Sequence, residues 1–308
     1  MVSAGIFRRL AFVTAAFAYL QIALGGVVRV TGSGLGCPDW PLCHGRPYPA
    51  ADIHSIIEYS HRTVGTITGV LLIATVAAAW LVFRNRRPVV AWLATASLVA
   101  IAAEGALGGV VVVNELASWL VLFHLGLAML ILGFLIATAV MSLPGSAGIP
   151  GGRLAAVAAV ATYGLLLTGS TVVASGADQS CHAWPLCGNG FTPDFGGAGA
   201  FTLLHRGAVL VIGALLTYVL VKALRRPELR TVAAVTLLVL VVQVAVGAGA
   251  AVTDAALFNG LHVAIATLVW AGVLSLALLT LPRGDREPVP SRFAAGRAQG
   301  AHPNKRTA

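Results

Sequence analysis

Charge is what this chain has least of. Only 10% of its 308 residues are Asp, Glu, Lys or Arg, against about 25% in a soluble domain, so a water-facing globular surface is excluded. Cysteine is limited to four residues in two pairs, and nothing in their local spacing supplies the four tetrahedral ligands of a structural zinc site. The apolar stretch from Leu10 to Val28 lacks a small-residue cleavage site and is too long for a secretory signal, which leaves it as a first helix. The chain also lacks a presequence of the mitochondrial type.

Apolar residues fill the gap that charge leaves. They make up 58% of the chain and set a mean hydropathy of +0.88. Segments long enough to cross roughly 30 Å of hydrocarbon, about 20 residues as helix, fall at 10–30, 59–83, 88–112, 117–142, 153–175, 200–223, 229–252 and 257–281. This pattern predicts an all-α integral membrane protein of eight transmembrane helices. The segment from 283 to 308 has no apolar period and reads as a disordered tail, which removes His302 from consideration as a ligand.

The connections set the expected orientation. Arg8, Arg9, the Arg84 to Arg87 turn, Arg153, the Lys222 to Arg230 turn, Arg283, Arg286 and Arg292 fall on one side, which the positive-inside rule makes cytoplasmic, with both termini. Asp39, Asp52, Glu115, Asp178, Asp194 and Asp254 fall on the other, with Arg29 and Arg46 as basic exceptions. The net charge of +9 is thus a topology signal, and no nucleic-acid partner is expected.

The chain repeats itself. Cys37-Pro38-Asp39-Trp40-Pro41-Leu42-Cys43 returns 144 residues later (37 to 181) as Cys181-His182-Ala183-Trp184-Pro185-Leu186-Cys187. His61-Arg62 returns as His205-Arg206 at the same offset, and His124 and His262 occupy corresponding apolar segments 138 residues apart (124 to 262). A duplicated four-helix unit explains this: residues 1–145 and 146–282, as tandem bundles related by a pseudo-two-fold axis along the membrane normal.

Both cysteine pairs sit in loops on the outer side, where disulfides persist. The repeat favours Cys37 with Cys43 and Cys181 with Cys187, each closure contributing about 2–3 kcal/mol through the unfolded chain. A structural staple and a redox-active pair are both open readings. His44, His54 and His182 read as solvated loop residues.

His61, His124, His205 and His262 open alternate helices from one side, two per repeat at matched depth. This is what bis-histidine haem ligation requires, one imidazole on each face of a flat macrocycle; a metal site and a proton relay are the alternatives. Gly65, Gly69, Gly126 and Gly207 near these histidines would leave room for a porphyrin. Glu58 precedes His61 by three residues and shares its helical face, whereas Thr202 stands before His205. Glu58 is therefore either a helix-end residue facing water or a general base beside a bound porphyrin. Glu104 is a second intramembrane acid, a proton-path residue or the partner of an arginine such as Arg29. Arg62 and Arg206 could fork onto haem propionates or extend toward the interface.

Glu58-Tyr59-Ser60-His61-Arg62, the two cysteine loops and the four histidines on alternate helices resemble the haem A synthase family, over roughly residues 8–282. Some members space the first cysteine pair by six residues rather than five. The resemblance implies a bacterial cell-membrane enzyme that oxidises the C8 methyl of haem O to the formyl group of haem A by two successive water-derived hydroxylations. It implies substrate haem at His61 and His124 with Glu58 as the catalytic acid/base, and a haem b cofactor at His205 and His262 as electron relay. It also implies a functional Cys37–Cys43 disulfide. The partners expected are haem O, haem O synthase, an unnamed electron acceptor and the bilayer, and a homo-oligomer is compatible with all of this. Two other classes compete: a di-haem b-type cytochrome, which would not need Glu58 on one side only, and a haem transporter.

Overall fold

The computed structural model describes residues 2–146, 148–177, 181, 185–187, 196–197, 199–253 and 255–284. Asp178, His182, Trp184, Asp194, Asp254, Arg286, Arg292 and His302 lie outside the described residues. The protein is an all-α integral membrane protein, and its eight helices are all long and apolar enough to cross a membrane. They are α1 (Ala4–Val30), α2 (Ile53–Phe83), α3 (Pro88–Val113), α4 (Ser118–Met141), α5 (Gly152–Ala174), α6 (Gly199–Leu224), α7 (Pro227–Thr253) and α8 (Ala256–Leu279). Among the described residues β-pairing is confined to two isolated bridges, Cys43 with Arg46 and Ser146 with Arg283.

Two helices begin earlier than hydropathy alone indicates, because polar caps extend them past their apolar stretches. Ser3 accepts from the Ile6 N–H at 3.2 Å and starts α1. Asp52 accepts from the Ser55 N–H at 3.0 Å and starts α2, satisfying amides that a helix start leaves unpaired. Glu58 therefore sits in the second turn of α2 and is buried, so the water-facing reading of this residue does not hold.

Within each half, neighbouring helices pack in a ring, α1 to α4 and α5 to α8. The halves meet through α1 with α8, α4 with α8, and α4 with α5. Small residues let the backbones approach, as helix association in lipid requires. Ala78, Ala79, Ala91 and Ala94 build a buried cluster with Phe7 and Phe83, and Ala155, Ala158, Ala159 and Ala233 build its counterpart with Leu216, Leu220 and Val273. Polar side chains knit helices where hydrocarbon offers no water: Thr14 to Thr75 at 2.9 Å, Trp80 to Thr95 at 3.0 Å, and the Trp270 indole N–H to the Ala159 carbonyl at 3.2 Å.

Both alanine-rich clusters lie toward one end of the bundle. There Arg8 donates to the Ser142 carbonyl at 2.9 Å, Arg87 to the Leu143 carbonyl, and Arg283 to the Leu279 carbonyl at 3.0 Å. These three arginines satisfy orphan carbonyls where α4 and α8 end. The opposite end carries the four histidines and the cysteine loops, around open space.

Candidate functional site

That space is one continuous cavity of about 1780 Å³, lined by His61, His124, His205 and His262 together. It exceeds the roughly 300–1,000 Å³ of a pocket for one small ligand. The four histidines share one cavity that runs through both halves, so the two sites expected from the repeat would be neighbouring parts of it.

Each imidazole is seated on a glycine of the preceding helix. A Cβ on Gly25 of α1 would come within 3.2 Å of Cε1 of His61, one on Gly108 of α3 within 3.2 Å of His124, one on Gly169 of α5 within 3.0 Å of His205, and one on Gly247 of α7 within 2.8 Å of His262. The repeat thus preserves four cradles that a methyl group would fill. The glycines singled out from sequence divide differently. Gly65, Gly69 and Gly207 line the cavity, whereas Gly126 packs against Tyr163 and Leu167 and opens no room.

A polar side chain beside each cradle meets the ring. Thr168 lies 2.9 Å from Nδ1 of His205 and donates its single hydroxyl proton to the Leu165 carbonyl at 2.7 Å. The hydroxyl therefore accepts from His205, which places the ring proton on Nδ1 and leaves the Nε2 lone pair for a ligand. The Gln243 amide nitrogen lies 2.9 Å from Nδ1 and 3.4 Å from Nε2 of His262, and Glu104 Oε1 lies 3.1 Å from Nδ1 of His124. The His124 N–H does not point along that last line, so the contact is an electrostatic pairing that a small ring rotation converts into a hydrogen bond. His61 is the exception: Gln21 donates to its Nε2 at 3.1 Å, and its Nδ1 is buried without a partner. Buried ring nitrogens and glycine cradles facing a largely apolar cavity fit a flat macrocycle whose metal takes imidazole on both faces.

Glu58 and Arg62 are committed to the first cysteine loop. Glu58 is 4% exposed; its Oε2 accepts from the Cys37 N–H at 2.8 Å and its Oε1 from Nε of Arg62 at 3.1 Å and from Nη2. The Arg62 guanidinium further donates to the carbonyls of Cys37 at 2.7 Å, Asp39 at 2.9 Å and Leu42 at 2.8 Å. All five of its N–H groups are thus engaged, and none remains for the propionate contact considered from sequence. Glu58 also lines the cavity, and three hydrogen bonds on four lone-pair sites leave one acceptor site on Oε2. In the other half Thr202 donates to the Ala177 carbonyl at 3.5 Å and Arg206 to the Pro185 carbonyl at 3.0 Å.

Both cysteine pairs form disulfides, Cys37–Cys43 and Cys181–Cys187. The first loop is held at many points. A Cβ at Gly36 would collide with the His54 and Ser55 backbone, so only glycine lets the loop lie against the start of α2. His44 and Gly45 donate backbone N–H bonds to Asp39 at 2.6 and 2.7 Å. Those donors, Gly45 foremost, hold the Asp39 carboxyl below its ordinary value of 3.8. His44 reaches the Gly36 carbonyl at 2.9 Å and His54 reaches Ser33 at 3.0 Å, so two histidines read as merely solvated are loop fasteners. The Trp40 ring lies against Gly109 of α3, closing the loop over the cavity wall.

Sequence reasoning missed Gln21, Glu104 as a histidine partner, Thr168, Gln243 and the four cradle glycines. The signal was available: in Gln21/Gly25, Glu104/Gly108 and Gln243/Gly247 a polar residue precedes a glycine by four, one helical turn, each time one helix before a histidine.

Residues 8–274 match the family model described as cytochrome oxidase assembly protein. A protein of Symbiobacterium thermophilum named "Heme A synthase" is 31% identical over 307 residues, covering 92% of this chain and 97% of its own length. One of Shouchella clausii with the same name is 28% identical, covering 88% and 96%, and one of Bacillus licheniformis is 30% identical, covering 68% and 73%. With a family match that reaches all eight helices and a 31% identical relative aligned over 97% of its length, the chain belongs to the haem A synthase family of cytochrome oxidase assembly proteins.

Proposed function

We propose that this chain is an oxidoreductase that converts the C8 methyl of haem O into the formyl group of haem A in the bacterial cell membrane, with the cysteine loops on the outer face. The observation that carries this reading is the asymmetry of one cavity. Four histidines line it in two matched pairs, yet among the described residues the acids on its wall, Glu58 and Glu104, stand in the first half. An electron carrier needs the histidines but gives no reason for acids on one side only.

In this reading His61 and His124 hold the substrate in residues 1–145, and His205 and His262 hold haem b in residues 146–282. The halves are related by a pseudo-two-fold axis along the membrane normal. Its support is the helix pairing, in which α1 meets α8 as α5 meets α4, and α4 meets α8 across the axis. Haem b, when bound, supplies one-electron chemistry and a route for electrons out of the substrate half.

The residues then divide the work. The methyl group takes up one water and releases two protons and two electrons to become a hydroxymethyl, and repeats this to reach a hydrated aldehyde, which loses water to leave the formyl group. Glu58 offers the free lone pair of Oε2 to a water beside the substrate, and general-base assistance of this kind contributes about 10²–10⁴ in rate. Arg62 pairs with the carboxylate and keeps it aimed. The electrons leave to an acceptor outside the chain, and haem O synthase is the expected source of the substrate. Gln21, on Nε2 of His61, must release that nitrogen before it can serve as a ligand, which suits an exchangeable substrate. Thr168 already leaves Nε2 of His205 free, which suits a resident cofactor.

The test is pigment extraction from a host that makes haem O and lacks haem A. Expression of this chain should yield haem A or its hydroxylated precursor. Unchanged haem O with intact b-type spectra would favour a di-haem cytochrome.

A further inference from the structure

Glu104 of α3 and Gln243 of α7 occupy equivalent places. Each stands four residues before the glycine that seats a histidine, Gly108 under His124 and Gly247 under His262. Glu104 presents an acceptor, Oε1, 3.1 Å from Nδ1 of His124, whereas Gln243 presents its amide nitrogen, a donor, 2.9 Å from Nδ1 and 3.4 Å from Nε2 of His262. The sole difference is an acid for an amide of the same length and shape. Packing does not ask for the acid. Its side chain is 12% exposed, and its Oε2 is buried with no hydrogen-bond partner, as is Oε1 of Gln243; the same place costs more for a carboxylate than for an amide.

We infer that Glu104 is a positioning residue that fixes His124 with its proton on Nδ1 and Nε2 toward the cavity, and that it makes His124 a stronger electron donor than its counterpart His262. A carboxylate on the outer nitrogen of a metal-binding imidazole orients the ring and raises its basicity, whereas an amide nitrogen, as Gln243 presents, only donates to the ring and gives it no such basicity. The substrate half thereby stabilises the more oxidised state of what it binds, as a site that removes electrons from its substrate requires. The Gln243 half is tuned the other way and accepts those electrons. The inference rests on the proposal that His124 and His262 are haem ligands.

The experiment uses purified full-length protein titrated with haem O, with b-type absorption from the His205/His262 half as the internal measure of folding. Glu104→Ala should weaken haem O binding by about 10–100-fold, as loss of such a partner typically does. Glu104→Gln should restore most of that binding, yet raise the reduction potential of the bound haem O toward that of its neighbour. Gln243→Glu should lower the potential of the other centre. A haem O potential that is the same in wild type, Glu104→Gln and Glu104→Ala overturns the inference while leaving the ligand assignment intact. Haem O binding that is indifferent to His124→Ala, with Glu104 present, overturns the ligand assignment itself.

Discussion

Glu58 accepts the backbone N–H of Cys37 at 2.8 Å, so the residue proposed as the base is also the one that anchors the disulfide loop to α2. The two roles make different demands on the side chain. Glu58→Gln keeps the shape and an oxygen for the Cys37 N–H but turns its NH2 to the Arg62 donors, so the loop should loosen less than in Glu58→Ala while haem A formation falls by about 10²–10⁴. Glu58→Ala removes the anchor and strands Arg62, a loss of about 3–5 kcal/mol for a buried pair broken on one side. It should speed chemical reduction of Cys37–Cys43, followed by thiol labelling. Near wild-type haem A output from Glu58→Gln would return the residue to the anchoring role alone.

The glycine cradles should rank by the room they leave. Gly247→Ala places a methyl 2.8 Å from the His262 ring, Gly169→Ala 3.0 Å from His205, and Gly25→Ala and Gly108→Ala 3.2 Å from His61 and His124. The b-type absorption should fall most for Gly247→Ala, less for Gly169→Ala, and least for the two in the first half. Retained absorption in Gly247→Ala would show that the His262 ring has another seat.

The assignment of the halves is tested by the ligands themselves. His205→Ala or His262→Ala should remove most of the resident b-type spectrum, and His61→Ala or His124→Ala should spare it while abolishing haem O turnover. The reverse pattern would exchange cofactor and substrate halves.

The Asp39 carboxyl is held below its ordinary value of 3.8 by the Gly45 and His44 amides. A depressed carboxyl contributes stability that is fully present above the unfolded value and is lost as pH falls through the folded one. The first disulfide loop should therefore stay closed at neutral pH and loosen only below the usual carboxylate range. Reduction of Cys37–Cys43 by a phosphine active in acid should accelerate there, and Asp39→Asn should move the loose behaviour to neutral pH. Identical reduction rates for wild type and Asp39→Asn at neutral pH would exclude Asp39 as a loop fastener.

Eight apolar stretches, the 144-residue repeat and the paired histidines were legible in the chain because each is local: a helix that must satisfy its own backbone in lipid shows its length in consecutive residues, and a duplication shows in register. The same locality placed Glu58 and His61 on one helical face. What lies beyond one helix was not legible. Glu104 has no neighbour in sequence that marks His124 as its partner, and Arg62, read as reaching for a bound acid, has all five donors engaged by Glu58 and three loop carbonyls. Such pairings depend on how α1, α3, α5 and α7 rotate and approach α2, α4, α6 and α8. That is set by small-residue packing at the far end of the bundle, which no periodicity records. The sequence determined a duplicated, membrane-spanning histidine protein of this family. Only the tertiary structure decided that its four histidines share one cavity, that each rests on a glycine, and that an acid touches one ring where an amide touches its counterpart, because these are contacts between helices.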